Sequence, residues 1–185
     1  MKKIPSLFKR NYETHVVYDE ISEGCEWITL GEGIATRKYD GTACIVINGK
    51  LYKRYDVKKG CANVPVGGIP CQSSPDAETG HWPWWAPVTD KPEDKYHREA
   101  FTGAEHNGTY ELCGPKVNGN PEKYDFHVLI PHGMEKYPLC PRTFNEVRDF
   151  IKAQGIEGIV WHHPDCRMCK IKLRDFGIRR EVVRG

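Results

Sequence analysis

The run Arg37-Lys38-Tyr39-Asp40-Gly41 joins a lysine able to act as a nucleophile, a carboxylate two residues on, and a glycine. In an extended segment residues two apart share a face. Lys38 and Asp40 are therefore expected to enter one pocket while Tyr39 packs on the other side, and Lys38 is read as the residue that is chemically modified. Gly41 frees the backbone to bend or to approach a ligand closely. A lone Lys-x-Asp-Gly is more often the sequence of a surface turn, so the weight falls on residues further along. Arg54 follows 16 residues after Lys38, Glu111 stands in Tyr110-Glu111-Leu112-Cys113-Gly114, and Glu157 opens Glu157-Gly158-Ile159-Val160. Lys170-Ile171-Lys172 puts two ammonium groups on one strand face.

These groups need elements to hold them. Residues 42–47 are β-branched and apolar, Asn48-Gly49 is a strong two-residue hairpin signal, and residues 51–57 return. Lys38 and Asp40 thus stand just before a hairpin that carries Arg54 on its second strand. Short strands are expected over 16–18, 27–30, 109–113 and 124–130. The span 60–91 is rich in Gly, Pro and Ser and should not hold a regular element for long; its three tryptophans, Trp82, Trp84 and Trp85, either pack back on the domain, the favoured expectation, or offer stacking surfaces for bases. A short helix is expected over 93–101. Thr143-Phe144-Asn145-Glu146 fits a capping box, and Phe144, Val147, Phe150 and Ile151 form a helical stripe that stops near Gly155. Residues 156–162 and 167–173 read as strands joined by a turn at His163-Pro164-Asp165. The sum is an α+β chain dominated by strands, with no internal repeat and no domain boundary.

Composition sets limits. A chain of 185 residues with 39% hydrophobic content can bury a core. No apolar run approaches the roughly 18 residues of a membrane span, and the charged N-terminus lacks the apolar stretch of a signal peptide, so no membrane is expected and a cytoplasmic or nuclear location is. The eight cysteines then read as reduced thiols or metal ligands. The net charge of +2 hides two basic ends: Lys2, Lys3, Lys9 and Arg10 without an acid, and seven Lys/Arg against Asp175 and Glu181 over residues 166–185. Clustered positive charge attracts phosphate backbones.

Taken in order and spacing, Lys-x-Asp-Gly at 38–41, Glu111, Glu-Gly-hydrophobic-Val at 157–160 and Lys-x-Lys at 170–172 resemble the motifs of the covalent nucleotidyltransferase superfamily of ATP-dependent ligases and capping enzymes. Within it, the run from Tyr110 to Pro121 and the run from Glu157 to Gly177 look most like the RNA ligases related to vertebrate RNA ligase 1. The resemblance covers about residues 33–177. It implies a nucleotidyltransferase adenylation domain (ATP-grasp-like, antiparallel sheets, few helices) spanning 1–185 with a basic tail. The implied activity is joining RNA 5′-phosphate and 3′-hydroxyl ends, in RNA repair, by a chain expected to act as a monomer. The cofactors implied are ATP, held as AMP on Lys38, and Mg²⁺ or Mn²⁺. A lysine with pKa ~10.4 is mostly protonated, and nearby positive charge lowers that pKa. The resemblance gives Lys170 and Lys172 the α-phosphate, Glu157 and Asp40 the metal, Arg54 and Glu111 the ribose hydroxyls, and Phe126 the stack on adenine. Arg37 adjoins the nucleotide where many RNA ligases carry an acid, a departure that bears on base selectivity.

Only 13 residues follow Lys172, too few for the five-stranded OB domain of DNA ligases and capping enzymes, so no OB domain is expected. Two other readings stay open: a capping guanylyltransferase or DNA ligase on the same scaffold, and a zinc-stabilised nucleic-acid-binding module built on Cys166-x-x-Cys169 with His162 and His163.

Overall fold

The computed structural model describes residues 4–180 apart from Lys59, Cys61, Ala62 and Glu78. Of the basic ends, Lys2, Lys3, Glu181 and Arg184 lie outside the described residues. The strands in chain order are β1 (Phe8–Arg10), β2 (Val17–Ile21), β3 (Ile34–Lys38), β4 (Thr42–Ile47), β5 (Lys50–Val57), β6 (Ile69–Pro70), β7 (Trp82–Pro87), β8 (Gly108–Cys113), β9 (Val128–Pro131), β10 (Gly158–His162) and β11 (Met168–Lys172), with helices α1 (Lys95–Ala100) and α2 (Phe144–Gln154). All strand pairs are antiparallel, and the class is α+β as expected. The chain divides into two compact units, a split unit of residues 4–39 and 133–180 and a central unit of residues 40–132.

In the split unit, β11, β10 and β3 form a three-stranded sheet in that order. Alternation gives it two unlike faces. One carries Ala35, Ile159, Trp161, Cys169 and Ile171, all 2% exposed or less, which pack with Leu7, Phe8, Trp27, Ile28, Val147 and Ile151 into one apolar cluster. The other carries Thr36, Lys38, Val160, Lys170 and Lys172. Helix α2 begins and ends where the stripe predicts, but the Thr143 hydroxyl donates to the Glu146 carboxylate and leaves the backbone N–H groups without a side-chain cap. Residues 27–30 are not the strand expected of them. A 3₁₀ turn, Glu26–Ile28, buries Trp27 and Ile28 side by side, and two adjacent buried residues do not fit the two-residue period of a half-buried strand.

The central unit is a six-stranded sheet in the order β6-β7-β5-β4-β8-β9. Asn48 and Gly49, with φ of 50° and 71°, turn the β4–β5 hairpin as their identities require. One face buries Cys44, Val46, Leu51, Tyr110, Leu112 and Leu129. On that side Lys53 forms an ion pair with Asp94, which also accepts the Thr89 N–H and hydroxyl. Strand β7 is a six-residue regular element within 60–91, where none was expected to run for long. Pro83 accepts a hydrogen bond from Cys71 N on the β6 side, so its missing N–H faces that side too, as does that of Pro87 two pairs along. There β6 pairs only with Trp84 and Trp85, and the prolines leave few ladder bonds unmade. The tryptophans pack, as expected: Trp85 is 3% exposed, and Trp82 and Trp84 meet edge to face at 4.9 Å. The strand expected over 124–130 shortens to Val128–Pro131; Asn120 ties the Tyr124 N–H and C=O into a loop instead.

Candidate active site

Register builds the charged face of the split unit. Lys38 lies opposite Gly158, and Gly158 opposite Lys172; in the next row Thr36, Val160 and Lys170 align. A side chain at Gly158 is excluded, because a Cβ there would stand 2.1 Å from the Ile171 oxygen and 2.9 Å from Lys172 Cα. Its absence leaves the middle of the first row clear. Glu157, one residue earlier and 9% exposed, bridges the row: Oε2 accepts from Lys38 Nζ at 2.6 Å and Oε1 pairs with Lys172 Nζ at 2.8 Å. Burial raises the Glu157 pKa, but the two ammonium groups outweigh it and hold the carboxyl below its ordinary range. The same arrangement acts the other way on Lys170. Burial first, then Lys172 and Lys38, pull its pKa down to about 8 against the opposing charges of Asp175 and Glu157.

The end of β11 is fixed by Asp175, 5% exposed, whose Oδ2 accepts the Lys172 N–H at 3.0 Å while Oδ1 takes Arg10 Nη2 at 2.6 Å. On the opposite face from Lys38, Arg37 donates from Nη1 to Glu135 Oε2 at 3.2 Å and lies 4.6 Å from the centre of the Tyr39 ring. Tyr39 also donates to Glu135 Oε2, at 2.9 Å, so it packs on the other side as expected. The alternation does not carry on to Asp40. Strand β3 ends at Lys38, and Asp40 begins the central unit in a bend.

In the central unit, Glu111 Oε1 accepts the Gly41 N–H at 3.1 Å and Oε2 pairs with His132 Nε2 at 2.8 Å. Gly41 is required here, since a Cβ would meet the Leu112 oxygen at 2.1 Å. Asp40 Oδ1 accepts from Asn118 Nδ2 at 3.0 Å, and the Asp40 N–H donates to Glu122 at 3.0 Å. Pairings of Trp85 with Arg54, Ala43 with Glu111 and Glu111 with Ile130, joined by the β4–β5 pairing, set Arg54 and Glu111 on one sheet face across the small Ala43. Arg54 Nε donates to Asp56 Oδ1 at 3.0 Å, and the pair lines a cavity of about 360 Å³ with Gln72, Asp76, Thr79 and His81. Phe126 is 64% exposed on the loop before β9.

For a hard divalent cation the residues fit in donor type. Mg²⁺ is commonly held by one or two carboxylates and several waters, and Glu157 offers one carboxylate whose present partners are themselves cations. Among the described residues no group of three or more His, Cys, Asp or Glu gathers as an all-protein metal cage would. The zinc reading meets a further obstacle in geometry: Cys169 is buried in the apolar cluster while Cys166 is exposed.

A family model described as RNA ligase 1 matches residues 100–183. RNA ligase 1 of Danio rerio is 36% identical over 84 residues, covering 40% of this chain and 26% of its own length. RNA ligase 1 of Rattus norvegicus is 26% identical over 254 aligned positions, covering 96% of this chain and 78% of that protein. The chain resembles vertebrate RNA ligase 1. It spans about a quarter of the Danio rerio and Pongo abelii RNA ligase 1 proteins in the alignments of higher identity. The part matched by the RNA ligase 1 family model holds Glu111, Phe126, Glu157, Lys170 and Lys172; Lys38, Asp40 and Arg54 lie before it.

Sequence reasoning missed Glu135, His132 and Asp175, which grip Arg37 and Tyr39, Glu111, and the Lys172 backbone. Glu135 and His132 fall in no motif or periodic stripe. Asp175 lies within the matching run from Glu157 to Gly177, yet nothing local marks it as the acid that turns inward.

Proposed function

We propose that this chain is an ATP-dependent RNA ligase that joins RNA 5′-phosphate and 3′-hydroxyl ends through AMP carried on Lys38. The observation that carries this reading is the Glu157 carboxylate set between the Lys38 and Lys172 ammonium groups, with Lys170 one row on. Glu157 stands within reach of a proton on the Lys38 amine. The deprotonated amine attacks the α-phosphorus of ATP, forming a P–N bond as pyrophosphate departs. Lys170 and Lys172 then offset the charge that develops on the phosphate oxygens. When bound through Glu157, Mg²⁺ or Mn²⁺ would add positive charge that favours the neutral amine. An RNA 5′-phosphate oxygen next displaces Lys38 from phosphorus, and an RNA 3′-hydroxyl finally displaces AMP. The motif resemblance supports Arg54 and Glu111 at the ribose, Phe126 at adenine, Asp40 as a further metal carboxylate, and an adenylation fold.

The test is intact mass after incubation with ATP and Mg²⁺. A gain of one AMP, mapped to Lys38 and absent from Lys38→Ala, is expected. No adduct, or an adduct on another residue, overturns the assignment.

A further inference from the structure

The segment that follows the central unit returns along the free edge of β3. Arg37 N donates to the Glu135 oxygen at 2.9 Å, Tyr137 N donates to the Ala35 oxygen at 2.8 Å, and Thr36 bridges to Lys136. Strand β3, which ends on Lys38, is thereby held on both sides, by β10 and by residues 135–137. One side chain does more than extend the ladder. Glu135 Oε2 accepts from Arg37 Nη1 at 3.2 Å and from the Tyr39 hydroxyl at 2.9 Å, and Oε1 accepts from the Tyr137 hydroxyl. The residues on either side of Lys38 are both tied to this one carboxylate, 97 residues away in the chain.

We infer that Glu135 is a positioning residue for Lys38: by anchoring Arg37 and Tyr39 on the far face of β3 it fixes the strand end from which the lysine amine points toward Glu157. The inference rests on the ligase reading and deepens it. Three features support it. The carboxylate receives charge-assisted donors, which are the shorter and stronger hydrogen bonds. Burial would raise its pKa, but Tyr137, Tyr39 and Arg37 together keep the Glu135 carboxyl below its ordinary range, so it is an acceptor at neutral pH. Lys38 is the last residue of β3, so the ladder fixes the backbone up to it, and the Tyr39 hydroxyl contact to Glu135 holds the residue that follows. A strand end held on one side only lets an amine swing, and displacement of a reacting group by about 1 Å can cost ~100-fold in rate.

The sealing step distinguishes positioning of Lys38 from general support of the fold. With RNA that already carries a 5′-adenylate the lysine amine is not the nucleophile, so Glu135 should matter little there. Glu135→Ala is expected to slow enzyme–AMP formation at saturating ATP roughly 10- to 100-fold, to move the ATP KM by less than about threefold, and to seal 5′-adenylylated RNA within about threefold of wild type. Tyr39→Phe keeps the ring, removes one hydrogen bond and should give a smaller loss in the same step alone. Unchanged enzyme–AMP formation in both variants overturns the inference, and so does an equal loss of both steps. Wild-type protein is measured first. An AMP adduct on Lys38 upholds the ligase reading whatever the variants do, whereas wild type without an adduct overturns both.

Discussion

Lys170 is a cation whose charge the fold opposes. Its pKa is lowered to about 8 by burial and by the neighbouring ammonium groups of Lys172 and Lys38, whereas in the unfolded chain it titrates near ~10.4. Between those values the unfolded chain binds more protons than the folded one, so stability rises with pH across that window. The penalty is fully present below pH ~8 and gone above ~10.4. Lys170→Met should therefore stabilise the protein at pH 7 by about 1–2 kcal/mol, once partial exposure is allowed for, and the gain should vanish by pH ~10.5. Urea unfolding of both proteins at the two pH values checks this; a gain that does not change with pH would mean that packing, not charge, is responsible. Glu157 shares that direction with pH but contributes stability where Lys170 costs it. Its depressed pKa contributes stability above the ordinary carboxylate range that is lost as pH falls through the folded value. Glu157→Gln should flatten the acid limb of the stability curve and abolish enzyme–AMP formation without unfolding the protein at pH 7. If adduct forms at the wild-type rate, Glu157 does not serve Lys38.

At the scale of elements, the charged row depends on how closely β10 approaches β11. Gly158→Ala would push a Cβ onto the Ile171 backbone, and strand separation at that pair must grow. A stability loss of about 1–3 kcal/mol should accompany loss of the Lys172–Glu157 contact and of enzyme–AMP formation. A denaturation midpoint equal to wild type would show that β11 can move without cost. Strands β10 and β11 and helix α2 were legible because their signals are local: residues 156–162 and 167–173 flank a Pro-Asp turn, and the α2 stripe runs from Thr143 to Gly155. Strand β7 was not legible, because Pro83 and Pro87 normally exclude a regular strand. What permits them is the shortness of β6, a tertiary fact that no window of sequence contains. The 3₁₀ turn at Glu26–Ile28 hid for a similar reason: Trp27-Ile28-Thr29-Leu30 has the composition of a strand, but its burial is decided by the apolar cluster it joins.

For the whole molecule, charges and motif order were visible before any geometry, whereas the second partners of those charges were not. Lys38 stands 119 residues before Glu157, and only the register of β3, β10 and β11 brings it beside Glu157, Lys170 and Lys172. The proposed reaction has two steps with different requirements. Forming the AMP adduct would consume the Lys38 amine as nucleophile. In the proposed sealing step the RNA 3′-hydroxyl would be the nucleophile and AMP the leaving group, so the step would need the groups that hold and neutralise the phosphate, and Lys172 is fixed by Glu157 at Nζ and by Asp175 at its N–H. Lys38→Ala should thus fail with ATP and 5′-phosphorylated RNA yet retain sealing of 5′-adenylylated RNA, while Lys172→Ala should be impaired with both by about 10²-fold or more. Gel-resolved products from the two RNAs, compared for the two variants, read this directly. Full activity of Lys38→Ala with ATP would remove the covalent step, and wild-type protein that takes up AMP but seals neither RNA would leave an adenylyltransferase that is not a ligase.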